Sequence, residues 1–162
     1  TQINRTADAE SLYDIATLTR DAVRYFATEP VMAMVSFSNF GSALDEESRA
    51  VKAAVARIQE EDPKLAIDGE MSVSYALNKS MRDEIFPFSR LNGKDVNTLV
   101  FPNLSAANTA YRLMLEMGLG DAIGPVQMGL AKPVHFIGIN TDVRHIVNLA
   151  TMAGVDAQGC QQ

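Results

Sequence analysis

Short apolar runs of strand length alternate along this chain with longer segments whose apolar residues recur every three or four positions, and few folds accept that alternation. The runs are Val31 to Phe37, Leu65 to Ile67, Val96 to Phe101 and Pro133 to Ile139. Between them, Asp8 to Phe26 carries the stripe Leu12, Ile15, Ala16, Ala22, Val23 and Phe26, with Thr6 as the expected N-cap. A second helix is opened by Asp45, Glu46 and Glu47, carries Val51, Ala54, Val55 and Ile58, and stops at Asp62-Pro63. Ser72 to Leu77 reads as a short helix, Ser105 to Met117 as a longer one ended by Gly118 and Gly120, and Asp142 to Ala157 as the last. Ala122 to Leu130 is short and broken by Gly and Pro, and Asn78 to Asp95 has no sustained period and reads as a long surface connection. Runs that are apolar throughout belong to strands covered on both faces, so the expected fold is α/β: a mostly parallel sheet with helices on both sides, three layers in all. In such folds the loops leaving the C-terminal strand ends line the ligand crevice. Here those loops are Ser38 to Ser42, Pro102 to Ser105 and Gly138 to Asp142.

A length of 162 residues suits one compact unit, expected to run over 1–162. With 47% hydrophobic and 21% charged residues, the composition excludes disordered, collagen-like and coiled-coil classes. No apolar run reaches the roughly 18 residues that span a bilayer, and Thr1 to Asp8 lacks the regions of a signal peptide, so a cytoplasmic location is expected. The single Cys160 forms no internal disulfide, and with only His135 and His145 no zinc cluster is expected. A net charge of −6 argues against nucleic acid and anionic membranes as partners. The chain opens at Thr1, without an initiator Met and directly before a helix signal, and is expected to be a piece of a longer one.

In the first loop, Ser36, Ser38, Asn39, Gly41 and Ser42 lie between a buried strand and a helix, where hydroxyls and backbone N–H groups can converge on an anion. The same residue types also suit a turn whose serines satisfy local backbone. There is no Walker lysine and no GxGxxG. Asn108 and Arg112 stand four apart on one helical face, where Arg112 is placed to hold a phosphate or carboxylate; the alternative is a capping Asn103 and a solvated Arg112. His145 follows Asp142 by three residues, so the two can share a hydrogen bond at a helix start, and otherwise it is a surface histidine. His135 reads as a satisfied strand histidine; Lys79, Arg82, Arg90 and Lys94 read as a solvated face; Met114, Met117, Met128 and Met152 read as core or interface filler.

The run Asp95 to Leu113, including Pro102-Asn103, Asn108 and Tyr111-Arg112, and the run Ala122 to Val134, including Gly124-Pro125 and Lys132-Pro133, resemble the phosphate acetyl/butyryltransferases. Ser36 to Ser42 and Asp68-Gly69-Glu70 resemble that family's motifs in the same order. The resemblance implies the C-terminal half of a two-lobed domain and adds Gly124 and Pro125 to the candidate ligand-binding residues Ser38, Asn39, Gly41, Ser42, Asn103, Asn108, Arg112 and His145. Phe86 to Gly93 and Pro133-Val134-His135 look most like the transferase-like region of the large bacterial NADP-dependent malic enzymes. Active transferases are similar to one another in a basic residue where this chain has Phe40, a Ser-Arg pair where it has Gly138-Ile139, an Asp where it has His145, and an arginine where it has Glu116. Acyl transfer between a thiol and phosphate needs a base and a cation, so these departures imply no catalytic residue in this segment. What the resemblance then implies is a non-catalytic regulatory and oligomerisation domain, probing acetyl-CoA as an effector and joined in one chain to a malic enzyme catalytic domain that uses NADP and Mg or Mn. The alternative is an active phosphate acetyltransferase with His145 as base.

Overall fold

The computed structural model describes residues 5–121, 123–139 and 141–159. The expectations placed on Cys160 and on Asn140 fall outside these residues. Length led to the expectation of one compact unit; the chain divides into two, residues 1–111 and 112–162.

The first unit begins with α1 (Ala9–Tyr25), whose N-cap is Asp8: its side chain accepts from the Ser11 N–H at 2.9 Å. This corrects the expectation of Thr6 as cap, because the carboxylate adds charge that favours the helix start to the capping bond. Three strands follow, β1 (Val31–Val35), β2 (Ala66–Met71) and β3 (Thr98–Val100), all parallel in the order β2-β1-β3. The first two are displaced from their expected ranges for physical reasons. The apolar run at 31–37 overshoots β1 because Ser36 to Ser38 already belong to the turn, whereas β2 continues through Asp68-Gly69-Glu70, polar residues that the strand buries.

Helices cover both faces of this sheet, as expected for the α/β class. On one side α1 and α2 (Glu46–Glu61) bury Leu12, Ala16, Val51, Val55 and Ile58 against Met32, Met34, Ile67 and Val100. Each large side chain so buried contributes about 1.5–3 kcal/mol. On the other side α3 (Val73–Leu77) brings Ala76 and Tyr75 to Ala33, Leu99 and Leu91. The alternation of Met32 and Met34 with Ala33 between the two clusters is the strand period of two.

The connection expected across 78–95 is partly helical: α4 spans Lys79–Ile85 and is capped by Asn78. Its inward residue is Arg82, fully buried, so this arginine does not belong to a solvated face. Its guanidinium donates to the carbonyls of Ala76 (3.0 Å), Leu91 (2.9 Å) and Lys94 (2.5 Å). Five N–H donors in a fixed fork suit such a role.

Helix α5 (Leu104–Glu116) contains the boundary between the two units. None of its residues is buried. Within 112–162 its end is a Schellman turn, with Gly118 at φ +67, Gly118 N–H on the Leu115 carbonyl and Leu119 N–H on that of Met114. Met114 and Met117 are exposed, so of the two roles expected for them, core or interface filler, the core one does not apply. From Met117 to Asp142 the described residues form no helix or strand, and the Gly124–Pro125 peptide is cis. The strand expected at 133–139 is therefore absent among the described residues: alternation is present, but no described strand pairs with it and Phe136 and Ile139 are exposed. The unit closes with α6 (Val143–Gly159), in which Leu149 is buried.

Candidate functional site

Ser38, Asn39, Gly41 and Ser42 lie together where the chain leaves the C-terminal end of β1, the edge at which a parallel sheet gathers its ligand loops. The turn is tight. Phe40 (φ 49) and Gly41 (φ 91) are both left-handed, which places successive N–H groups on the inside of the bend.

Every backbone N–H from Ser38 to Ala43 has a protein acceptor. Ser38 N–H donates to Ser36 Oγ (3.3 Å), Asn39 N–H to Ser42 Oγ (2.9 Å) and Phe40 N–H to the Glu70 carbonyl (2.8 Å). Gly41 N–H donates to Glu70 Oε1 (2.5 Å), Ser42 N–H to the Asn39 carbonyl (3.1 Å) and Ala43 N–H to Ser38 Oγ (3.0 Å). The Ser38 hydroxyl also donates to Glu70 Oε1 at 2.9 Å, and the Asn39 side chain accepts from Ser72 N–H at 2.8 Å. Of the two readings of this loop, the self-satisfied turn describes the geometry.

Glu70, part of the Asp68-Gly69-Glu70 motif but not one of the candidate ligand-binding residues, organises the loop. Where β1 pairs with β2, Met34 faces Gly69 and Val35 faces Met71, so Glu70 is the extra residue of a bulge. A bulge re-aims a side chain, and this one is 1% exposed with its carboxyl group under the loop. Its second oxygen, Oε2, is buried without a hydrogen-bond partner. A cation also reaches the loop from α2: Lys52 Nζ lies 3.8 Å from where a Cβ on Gly41 would stand.

Asn103 begins α5, accepting from Ala106 N–H at 2.9 Å and donating to Glu47 Oε2 at 2.8 Å. It is therefore a cap, the second of the two readings given to it. With Arg5, Asp8, Glu46, Glu47 and Pro102 it lines a cleft of about 430 Å³. Asn108 is exposed further along α5. Arg112, Gly124, Pro125 and His145 belong to 112–162. Arg112 is exposed, and Gly124 adopts φ +135, reserved for glycine, ahead of Pro125. His145 sits in the first turn of α6 with Nδ1 2.9 Å from Asp142 Oδ1, the pairing anticipated from their spacing. The His145 backbone N–H also donates to Asp142, and this bond, followed by the ring's, holds the Asp142 carboxyl below its ordinary value. His135 Nδ1 accepts from Gln127 N–H at 3.3 Å, while its Nε2 is buried without a partner. It is not the satisfied strand histidine expected. Among the described residues no group of three His, Cys, Asp or Glu side chains could hold a metal ion.

Comparison with known proteins decides the lineage of this arrangement. Residues 1–154 match the family described as phosphate acetyl/butaryl transferase. The chain belongs to that family. The NADP-dependent malic enzyme of Escherichia coli is 41% identical over 159 residues, 98% of this chain and 21% of that protein. Phosphate acetyltransferase of Bacillus subtilis is 34% identical over 155 residues, 96% of this chain and 48% of that enzyme. Among solved structures, a phosphotransacetylase from Streptococcus pyogenes superposes with a TM-score of 0.88 at 32% identity, over 99% of this chain and 48% of that one. The chain thus spans about a fifth of the malic enzymes and about half of the phosphate acetyltransferases that it matches. The α/β architecture is that of the phosphotransacetylases. No helix among the described residues is long and apolar enough to cross a membrane.

Proposed function

We propose that this chain is a regulatory and self-associating module of an NADP-dependent malic enzyme, binding acetyl-CoA as an effector without turning it over. The observation that carries this reading is the loop at 38–43: each of its N–H groups is spent within the protein, and Phe40 stands where the family resemblance calls for a basic residue. Acyl transfer to phosphate requires free donors and positive charge that strengthen as the tetrahedral intermediate forms; the loop's donors are already taken, and none of its own residues is charged. The 41% identity to the Escherichia coli malic enzyme over 98% of this chain supports the parent. Oxidative decarboxylation of malate to pyruvate and CO2, with NADP and Mg or Mn, is assigned to the part of the parent outside this chain. Self-association is supported by the exposed Leu113, Met117, Leu119, Phe136, Val143 and Val147 of 112–162, apolar surface of the kind that interfaces cover. The reading places the protein in the cytoplasm, and its net charge of −6 disfavours nucleic acid and anionic membranes.

The test is calorimetric titration of the full-length protein with acetyl-CoA, alongside malate oxidation with and without it. Binding that alters malate turnover, with no acetyl phosphate formed from acetyl-CoA and phosphate, is expected. Absence of binding together with unchanged turnover overturns the effector reading. Sedimentation of the full-length protein tests self-association, and a monomer overturns it.

A second reading, an active phosphate acetyltransferase, is favoured by one observation: the Asp142–His145 contact at 2.9 Å orients an imidazole as a general base. Acetyl-CoA formation from acetyl phosphate and CoA, lost in His145→Ala, would establish it and displace the first.

A further inference from the structure

We infer that the loop at 38–42 is a cradle for a small carboxylate, and that its resident ligand is the chain's own Glu70. The resemblance directs attention to this loop as a place for an external anion, but the geometry puts an internal one there. Ser38 Oγ and Gly41 N–H converge on the single oxygen Oε1, at 2.9 and 2.5 Å, and the neighbouring Phe40 N–H takes the carbonyl of the same residue at 2.8 Å. Three donors from one turn therefore close on one residue of another strand. Two of them require the left-handed pair Phe40-Gly41, a conformation unfavourable for phenylalanine and held here by its acceptors and by ring contacts to Phe86 and Phe88.

The carboxyl group is delivered rather than merely adjacent. Glu70 is the bulged residue of β2, and its side chain is 1% exposed. Burying an acid without compensation is costly, and the loop's donors supply the compensation on Oε1 while Oε2 remains unpartnered. A shape-only role for this residue would be filled by an apolar side chain of the same length. The ammonium of Lys52, 3.8 Å from the Cβ position of Gly41, adds positive charge at the rim. The chemistry that recognises Glu70 is that of any carboxylate of acetate size: a hydroxyl and a backbone N–H, backed by a nearby cation. This inference stands apart from the acetyl-CoA reading, and its test uses neither that ligand nor turnover.

Glu70→Ala in the full-length protein empties the cradle and removes the carboxyl partner of the Ser38 hydroxyl and the Gly41 N–H, while the bond from Phe40 N–H to the carbonyl of residue 70 remains. Hydrogen exchange measured by mass spectrometry on peptides covering 37–44 reads the loop directly, whatever the rest of the protein does. Exchange in that peptide should become roughly tenfold faster than in the wild type. Sodium acetate at about 0.1 M should restore most of the protection, by binding only the form with the cradle assembled, while acetamide or sodium chloride at the same concentration should not. Wild-type exchange should be indifferent to acetate. A folded Glu70→Ala whose loop ignores acetate, or answers equally to acetamide, overturns the proposal. Glu70→Gln keeps the shape without the charge and covers the case in which truncation unfolds the protein. Several-fold faster loop exchange in Glu70→Gln supports an anion requirement, and wild-type protection in that variant overturns it.

Discussion

Asp68 and Ser89, 21 residues apart in sequence, are joined by a 2.7 Å hydrogen bond from the serine hydroxyl to the aspartate Oδ2, with both side chains buried. The same oxygen accepts the Arg90 N–H at 2.8 Å, and Oδ1 accepts the Gly69 N–H at 3.0 Å. Through these bonds β2 fixes the segment that carries Phe86 and Phe88. Asp68→Ala leaves a buried hydroxyl and buried backbone donors unmatched, at about 1–3 kcal/mol each. Urea denaturation should show a loss of at least that size, and Asp68→Asn, which retains one acceptor, should lose less.

Arg82 is the second buried polar anchor. Replacing it with Met fills the volume but leaves the carbonyls of Ala76, Leu91 and Lys94 without donors, and the expected loss is about 3–5 kcal/mol. Arg82→Lys keeps the charge but cannot reach three carbonyls in a planar fork, so it should recover only part of the stability. Equal midpoints for wild type and Arg82→Lys would show that charge alone suffices.

Gly69 is constrained by space. A Cβ there would fall 2.5 Å from the Met34 carbonyl oxygen and 2.8 Å from Met34 Cβ, with the backbone at φ +150. Since backbone cannot yield as a flexible side chain does, Gly69→Ala should separate β1 from β2 and cost about 3 kcal/mol or more. Circular dichroism melting would register it, and an unchanged melting temperature would contradict the close approach.

The contact of the Tyr13 hydroxyl with Glu61 ties α1 to α2, and Arg57 pairs with the same carboxylate at 3.0 Å while covering the Tyr13 ring. Glu61 is held below the ordinary carboxylate range, first by the Tyr13 hydroxyl and then by Arg57; Tyr13 is held above its own ordinary value, first by Glu61. A carboxyl depressed on folding contributes stability above its unfolded value, about pH 4.3, that disappears as pH falls through the folded one. A phenol raised on folding contributes stability below its unfolded value, about pH 10, that disappears as pH rises through the folded one. Tyr13→Phe should therefore flatten both the acid and the alkaline limbs of a plot of melting temperature against pH. Limbs that stay parallel to the wild type would rule the coupling out.

How much of this was legible depended on where the informative residues point. Helix α2 was plain because Val51, Ala54, Val55 and Ile58 are all buried and Asp45 and Pro63 bracket them. Helix α4 was invisible to the same reasoning: its apolar Met81 and Ile85 face outward and its buried residue is Arg82, so the usual sign of the pattern is inverted. The run at 133–139 alternated as a strand does, but pairing depends on a neighbour that its own residues do not encode. The loop at 38–42 was located correctly from the rule about strand ends. The bond from Gly41 to Glu70 was not, because the two lie 29 residues apart; the available signals were the Asp68-Gly69-Glu70 motif and an acid within a stretch that β2 buries.

The triple grip of Arg82 has a mechanical corollary. Because one side chain ties Ala76, Leu91 and Lys94, the ends of the stretch they delimit separate only when several hydrogen bonds to a buried guanidinium break together. Local opening around Phe86 and Phe88 is thereby coupled to the loss of Arg82's bonds rather than free of them.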